Sequence, residues 1–285
     1  MTLAITLIVL TLIKATPIIY AALGGVISER SGIINIGLEG MMVAGAFFAV
    51  IVSYATGSPA LGLLAGIAAG AAFGYILALA ATRFKVDQIV AGTGINLICT
   101  GGAAYGLVLL FNQPGASVQV NALGSSYWIL VVAAFVLAAA LHVFLYRTPW
   151  GLRIRACGEN PFAAASAGLD PLRLRMYAVI VSGALAGLGG AFLSIGELNL
   201  YSEGMTAGRG FIALAAVIFG RWTPLGATGA ALAFGLFEAL QFVVEGHIPW
   251  IPPSAMSALP YVAALIALAG ITGKVRPPKS DGMPY

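Results

Sequence analysis

Charge is the scarcest feature of this 285-residue sequence: only 8% of its residues are Asp, Glu, Lys or Arg, against roughly a quarter in a soluble domain. That allotment cannot build a water-facing surface, which excludes an ordinary soluble globular domain. Cysteine is nearly absent as well. Cys99 stands in an apolar run and Cys157 in a basic segment, with neither metal-ligand spacing nor a disulfide framework, so each reads as a free structural thiol. His142 and His247 lie far apart without Cys or carboxylate neighbours at metal spacing, and no metal site is expected. No G-x-x-x-x-G-K-S/T phosphate loop occurs; Gly273-Lys274 is followed by Val275 and lacks the upstream glycine. The chain therefore cannot energise itself with ATP. Ser/His/Asp nucleophile signatures are missing too, so no catalytic residue is named and no enzyme activity is expected. The net charge of +4 is dispersed among short segments instead of gathered on one face, which points to topology and away from nucleic acid.

What is abundant fits a membrane. Hydrophobic residues make up 60% of the chain, and 37 glycines suit helices that pack through close backbone approach in lipid. Crossing the hydrocarbon takes about 20 apolar residues. Nine windows qualify: 2–27, 32–55, 60–82, 88–110, 127–146, 177–199, 205–221, 224–244 and 256–272. The seventh is short and glycine-flanked, and the second opens on a polar stretch, so either fits a re-entrant half-helix as well as a crossing. The fold class is an all-α polytopic transmembrane bundle of about eight to ten spans, with the first span retained because no basic leader or cleavage site precedes it. With no hydrophilic domain, linker or evident repeat, residues 1–285 read as one transmembrane domain.

Orientation follows the cations. Arg30, Arg83, Lys85, Arg147, Arg153, Arg155, Arg173, Arg175, Arg221, Lys274, Arg276 and Lys279 fall in alternate connections and the C-terminal stretch, twelve of the 14 Lys and Arg. Short loops rich in such residues stay cytoplasmic, so the chain is expected in the cell (inner, cytoplasmic) membrane, multi-pass, with its C-terminus in the cytoplasm. Lys14 stands apart, midway along the first window, where it either snorkels from a tilted or broken helix or lines a pathway.

The stretch 147–176 is too short to fold alone, but Asn160-Pro161 is a helix-start signal, the Ala-rich 162–167 supplies a short helix and Gly168 its stop. Such a helix is either a rigid knob for a cytoplasmic partner or a plain basic loop that fixes orientation. Within it, Arg153-Ile154-Arg155-Ala156-Cys157-Gly158-Glu159-Asn160-Pro161, followed by Ala164 and Gly168, resembles the cytoplasmic signature of permease subunits in ABC importers of the branched-chain amino acid, simple-sugar and nucleoside group. Ser28-Glu29-Arg30-Ser31-Gly32 through Glu39-Gly40-Met41-Met42 is similar to a segment of the nucleoside-type permeases, and Gly92-Thr93-Gly94-Ile95-Asn96-Leu97 and Gly208-Arg209-Gly210-Phe211 through Arg221-Trp222 follow in the family's order. The resemblance implies a coupling helix bearing Arg153, Arg155, Gly158, Glu159, Asn160, Pro161, Ala164 and Gly168. It also implies cytoplasmic ATP-binding subunits that carry ATP and Mg, since this chain itself binds no cofactor. An extracytoplasmic solute-binding protein and a second, longer permease subunit would complete the assembly.

Polar groups inside the windows carry the remaining signal, because a buried charge costs several kcal/mol unless paired or wet. Glu29 with Arg30 reads as an interfacial pair or a topology determinant. Asn35 and Glu39 share one helical face and, like Asn96, face a translocation pathway or bond a neighbouring helix. Glu238 with Gln241 forms a polar face that suits interhelical bonding or the pathway. Nucleosides lead as solute, with simple sugars and branched-chain amino acids as alternatives. An ion-coupled secondary transporter or channel, relying on Glu39 and Glu238, is the rival class, and a membrane-embedded enzyme lacks the clustered His, Asp or Cys it would need.

Overall fold

The computed structural model describes residues 3–245, 262, 277–283 and 285. Among the described residues the regular structure is helical, apart from an isolated antiparallel bridge between Ala116 and Ser202. The helices are α1 (Leu3–Arg30), α2 (Leu38–Thr56), α3 (Pro59–Thr82), α4 (Gln88–Phe111), α5 (Tyr127–Arg147), α6 (Pro149–Glu159), α7 (Pro161–Ser166), α8 (Pro171–Ala191), α9 (Arg209–Phe219) and α10 (Pro224–Glu245). A wider π-helical turn, Phe192–Leu198, prolongs α8. Seven of these described helices are long and apolar enough to cross a membrane. The chain is therefore an all-α polytopic bundle.

Local chemistry sets most of the starts. A polar residue followed by proline opens α3, α6, α7, α8 and α10: Ser58, Thr148, Asn160, Asp170 and Thr223 each accept a hydrogen bond from a first-turn N–H. Proline at that point gives up no needed donor and already holds the helical φ. Asp170-Pro171 starts α8 six residues before the window at 177–199, so Arg173 and Arg175 belong to the helix and not to the connection before it. The window 205–221 is no crossing. It holds a loop and then α9, whose 11 residues span about 16 Å. Residues 31–37 are likewise non-helical before α2 begins. The ninth window, 256–272, lies outside the described residues save for position 262, as does His247.

Close backbone approach builds the core. Gly62, Gly66, Gly70 and Gly74 recur every four residues along one buried stripe of α3. A Cβ on Gly70 would collide with the Gly183 carbonyl of α8, one on Gly66 would meet the Gly45 carbonyl of α2, and one on Gly74 the Val179 carbonyl of α8. Without a hydrophobic force between helices in lipid, such contacts are what hold α2, α3 and α8 together. Leucines, valines and aromatics of α4 and α5 cover the outside, among them Leu97, Tyr105, Ile129 and Val136, all exposed.

The ends of the bundle differ. One collects the basic connections, where Gly158 abuts Arg30, the Arg30 guanidinium reaches Trp222 and Tyr146, and the Ser280 N–H bonds Gly158. The other collects the weakly charged ones, where Ser117, Val120 and Glu203 exchange backbone bonds with Tyr201, Asn199 and Gly115.

The seam yields a paired test. Gly187→Leu sets a branched side chain against the α3 backbone at Gly66 and Gly70 and should cost about 3 kcal/mol. Gly101→Ala, where a Cβ meets nothing within 4 Å, should leave the melting temperature in detergent unchanged.

Candidate functional site

Among the described residues two helices begin inside the bundle, and each is capped by a side chain from elsewhere. The N-cap residues Gly37 of α2 and Gly208 of α9 have no side chain to accept the orphan N–H groups of the first turn. For α2, Asn96 of α4 does so: its Oδ1 accepts from the Gly40 N–H at 2.7 Å, and its Nδ2 donates to the Ile36 carbonyl at 3.0 Å. For α9, Glu39 of α2 accepts from the Gly208 N–H at 3.0 Å, the Gly210 N–H at 2.7 Å and the Thr206 hydroxyl at 2.6 Å. A carboxylate is also the favoured charge at a helix N-terminus. Asn35, fully buried, donates to Ser182 of α8 at 2.9 Å. Glu238 of α10 pairs with Arg209 at 3.1 Å, and Arg209 also donates to the Met205 carbonyl at 2.9 Å.

Of the four pathway candidates, the structure thus brings Glu39 and Glu238 to one cluster at the start of α9. It sets Asn96 beside the start of α2 and Asn35 against α8. All four are bonded to a neighbouring element. Lys14, by contrast, does not snorkel. It pairs with Glu197 of the π-helical turn and lies 4.5 Å from the centre of the Phe242 ring. That pair borders a cavity of about 440 Å³ lined by Leu10, Ile13, Lys14, Tyr127, Gly196, Glu197 and Phe242. The pairing of residues 14 and 197 carries no signal in the sequence, because 183 positions separate them.

At the basic end Glu29 and Arg30 are not paired with each other. The indole N–H of Trp222 donates to Glu29, while Arg30 donates to the Trp222 carbonyl at 2.6 Å and to the Tyr146 hydroxyl at 3.0 Å. The residues expected in the coupling element divide into two groups. Gly158, Pro161 and Ala164 are buried, and a Cβ on Gly158 would strike the Arg30 carbonyl. Arg155 turns back onto α5, donating to the Leu145 carbonyl at 2.9 Å and lying 4.8 Å from the centre of the Tyr146 ring. Arg153, Glu159, Asn160 and Gly168 are exposed; Asn160 caps α7, and Gly168 with φ of 82° takes the left-handed turn that ends it. Phe162, on the same exposed surface, was not among the expected residues although its side chain is 70% exposed. Arg175, which the sequence marks only as a topology cation, is 2% exposed and donates to four backbone carbonyls.

Two titrating groups flank this element. Burial raises the Cys157 thiol above its ordinary range, with Arg175 opposing and Asp170 adding, so it is no ready thiolate. Burial also pushes the Asp281 carboxyl from 3.8 up to about 7, against the pull of Arg175 and of the Gly282 N–H. Among the described residues no group of three His, Cys, Asp or Glu side chains gathers closely enough to hold a metal.

Comparison with known proteins gives the chain's family. The family described as branched-chain amino acid transport system / permease component matches residues 7–269. The guanosine ABC transporter permease protein NupQ of Bacillus subtilis is 38% identical, over 96% of this chain and 94% of its own length. The nucleoside ABC transporter permease protein NupC of Lactococcus lactis is 39% identical, with the same coverage. A second Bacillus subtilis relative, the guanosine ABC transporter permease protein NupP, is 28% identical over 93% of this chain and 83% of its own. No solved structure matches.

Two outcomes follow from the geometry. Glu39→Ala leaves two N–H groups and a hydroxyl without their acceptor and should destabilise by about 2 kcal/mol or more, seen as faster amide exchange at Gly208 and Gly210, whereas Glu39→Gln should retain part of the cap. Asp281 faces Arg175 of α8 and Glu29 of α1. Its raised pKa means that docking of this segment gains from the proton fully below pH 3.8 and loses that gain as pH rises through about 7. A nitroxide at position 279 should therefore become more mobile on going from about pH 5 to about pH 8, and Asp281→Asn should flatten the change.

Proposed function

We propose that this chain, which belongs to the branched-chain amino acid transport system permease family, is one membrane subunit of an ATP-driven ABC importer for nucleosides or related small polar solutes. The observation that carries the reading is the pair α6–α7. It is a rigid, proline-started projection at the basic end, with Phe162, Glu159 and Asn160 outward and Gly158, Pro161 and Ala164 seated on the bundle. By the distribution of its Lys and Arg, that end faces the cytoplasm. There α7 meets a partner subunit that binds ATP and Mg. A second permease subunit completes the path, in keeping with two guanosine permeases among the relatives from one organism, and the lower coverage of NupP fits a longer partner. An extracytoplasmic binding protein delivers the solute.

Nucleosides lead as solute because NupQ and NupC, 38% and 39% identical over 96% of this chain, are permeases for guanosine and for nucleosides. The mechanical reading uses the broken helices. A push on α7 passes through Gly158 and Arg30 to residues 31–37, and from there to the start of α2, whose Glu39 holds the start of α9. The cavity beside Lys14 and Glu197 lies within the roughly 300–1,000 Å³ typical of small-molecule sites and suits a waypoint for the solute.

The test is reconstitution with the second permease, the ATP-binding subunits and the binding protein in liposomes. Guanosine should be taken up only with ATP, and Phe162→Ala or Glu159→Ala should leave membrane insertion intact while uptake per ATP falls about fivefold or more. Uptake of leucine or ribose in place of guanosine would overturn the solute, and normal coupling in both variants would overturn the docking role.

A further inference from the structure

Beyond the coupling role just described, on which it rests, a second device stands at the basic end. Residues 277–283 and 285 return to the bundle and lie across α6, α7 and the non-helical elbow at 31–37. The Ser280 N–H donates to the Gly158 carbonyl at 2.9 Å, and its hydroxyl donates to the Glu159 carbonyl at 3.3 Å. Gly282 sits against Ile34, where a Cβ would approach the Ile34 Cδ1 to 2.9 Å. Tyr285 places its ring edge-on to Phe162, with centroids 5.1 Å apart. Beneath these contacts lies Arg175. Its Nε donates to the Ser31 carbonyl at 3.0 Å, Nη1 to Met283 at 3.0 Å, and Nη2 to Cys157 and Ser280 at 3.5 Å each.

One guanidinium thus joins the elbow, α6, α8 and the C-terminal segment. Five donors in a fixed plane suit that task, and a lysine ammonium cannot reproduce it. We propose that residues 277–283 with Tyr285 are a strap in the coupling joint, with Arg175 its positioning residue. It locks α6–α7 to the elbow, so that displacement of α7 moves the start of α2 instead of swinging α6–α7 away from the bundle. Through Tyr285 it also adds to the surface that α7 offers a partner. Without the strap, the ties of α6–α7 to the elbow among the described residues include the contact of Gly158 with Arg30 and Gly32 and the Arg175 bonds to Ser31 and Cys157.

Deleting residues 277–285 should leave insertion, assembly and ATP hydrolysis in place while uptake per ATP falls about fivefold or more. Arg175→Lys should do the same; should Arg175 variants fail to insert, the deletion still decides. Tyr285→Ala combined with Phe162→Ala should lower coupling no further than either alone, and Tyr285→Phe should behave as the unaltered chain, because the contact acts as one unit. Independently of transport, the deletion should speed amide exchange across 157–166 in the chain alone. Unchanged exchange there, or full uptake per ATP after the deletion, overturns the strap. An intact assembly that takes up no nucleoside, with exchange still accelerated by the deletion, overturns the transport reading and leaves the strap standing.

Discussion

A lipid interior offers no water to a broken helix. Wherever the chain stops and restarts inside the membrane, the freed N–H and C=O groups must find partners within the protein. Among the described residues two such restarts occur, at Leu38 and Arg209. Both begin at glycines, and both borrow acceptors: Asn96 for α2, Glu39 for α9. The second debt is chained to the first, because Glu39 sits in the opening turn of α2. The position of α9 therefore follows the position of α2. The cation that would otherwise be misplaced at the start of α9, Arg209, is compensated by Glu238 from α10.

Rigid and movable parts separate along the same lines. The seam of α2, α3 and α8 brings backbones so close that no side chain fits between them, and it resists sliding. Polar brackets hold the restarts by a few hydrogen bonds each, which are exchangeable in a way that a packed seam is not. Motion in such a protein is expected at the brackets. Two of them lie within eight residues of the elbow at 31–37, which in turn touches Gly158, Arg175 and Gly282. The basic end is thereby mechanically joined to the interior through one short segment of backbone.

Much of this was legible in the residue order. Scarce charge and long apolar runs determined a polytopic helical bundle, because lipid tolerates few other backbones. The polar-proline dipeptide at 160–161 sets a helix start that the structure reproduces, since capping is a local matter decided within four residues; Asp170-Pro171 acts in the same way, but hydrophobicity alone places that helix start six residues too late. The abundance of glycine pointed to close helix packing, while the stripe of Gly62, Gly66, Gly70 and Gly74 and its partner helices emerged with the packing.

Only the tertiary structure decided the pairings. Neither Lys14 with Glu197, nor Glu39 with the start of α9, nor Arg175 with residues 280–283 follows from spacing, because each partner lies more than a hundred positions away. Sequence marks such residues as costly in lipid and leaves open whether a solute, a helix or another charge meets the cost. Local propensity and hydrophobicity act along the chain and can be read there. Which buried polar group satisfies which is settled by packing, since it depends on how helices distant in sequence come to lie side by side.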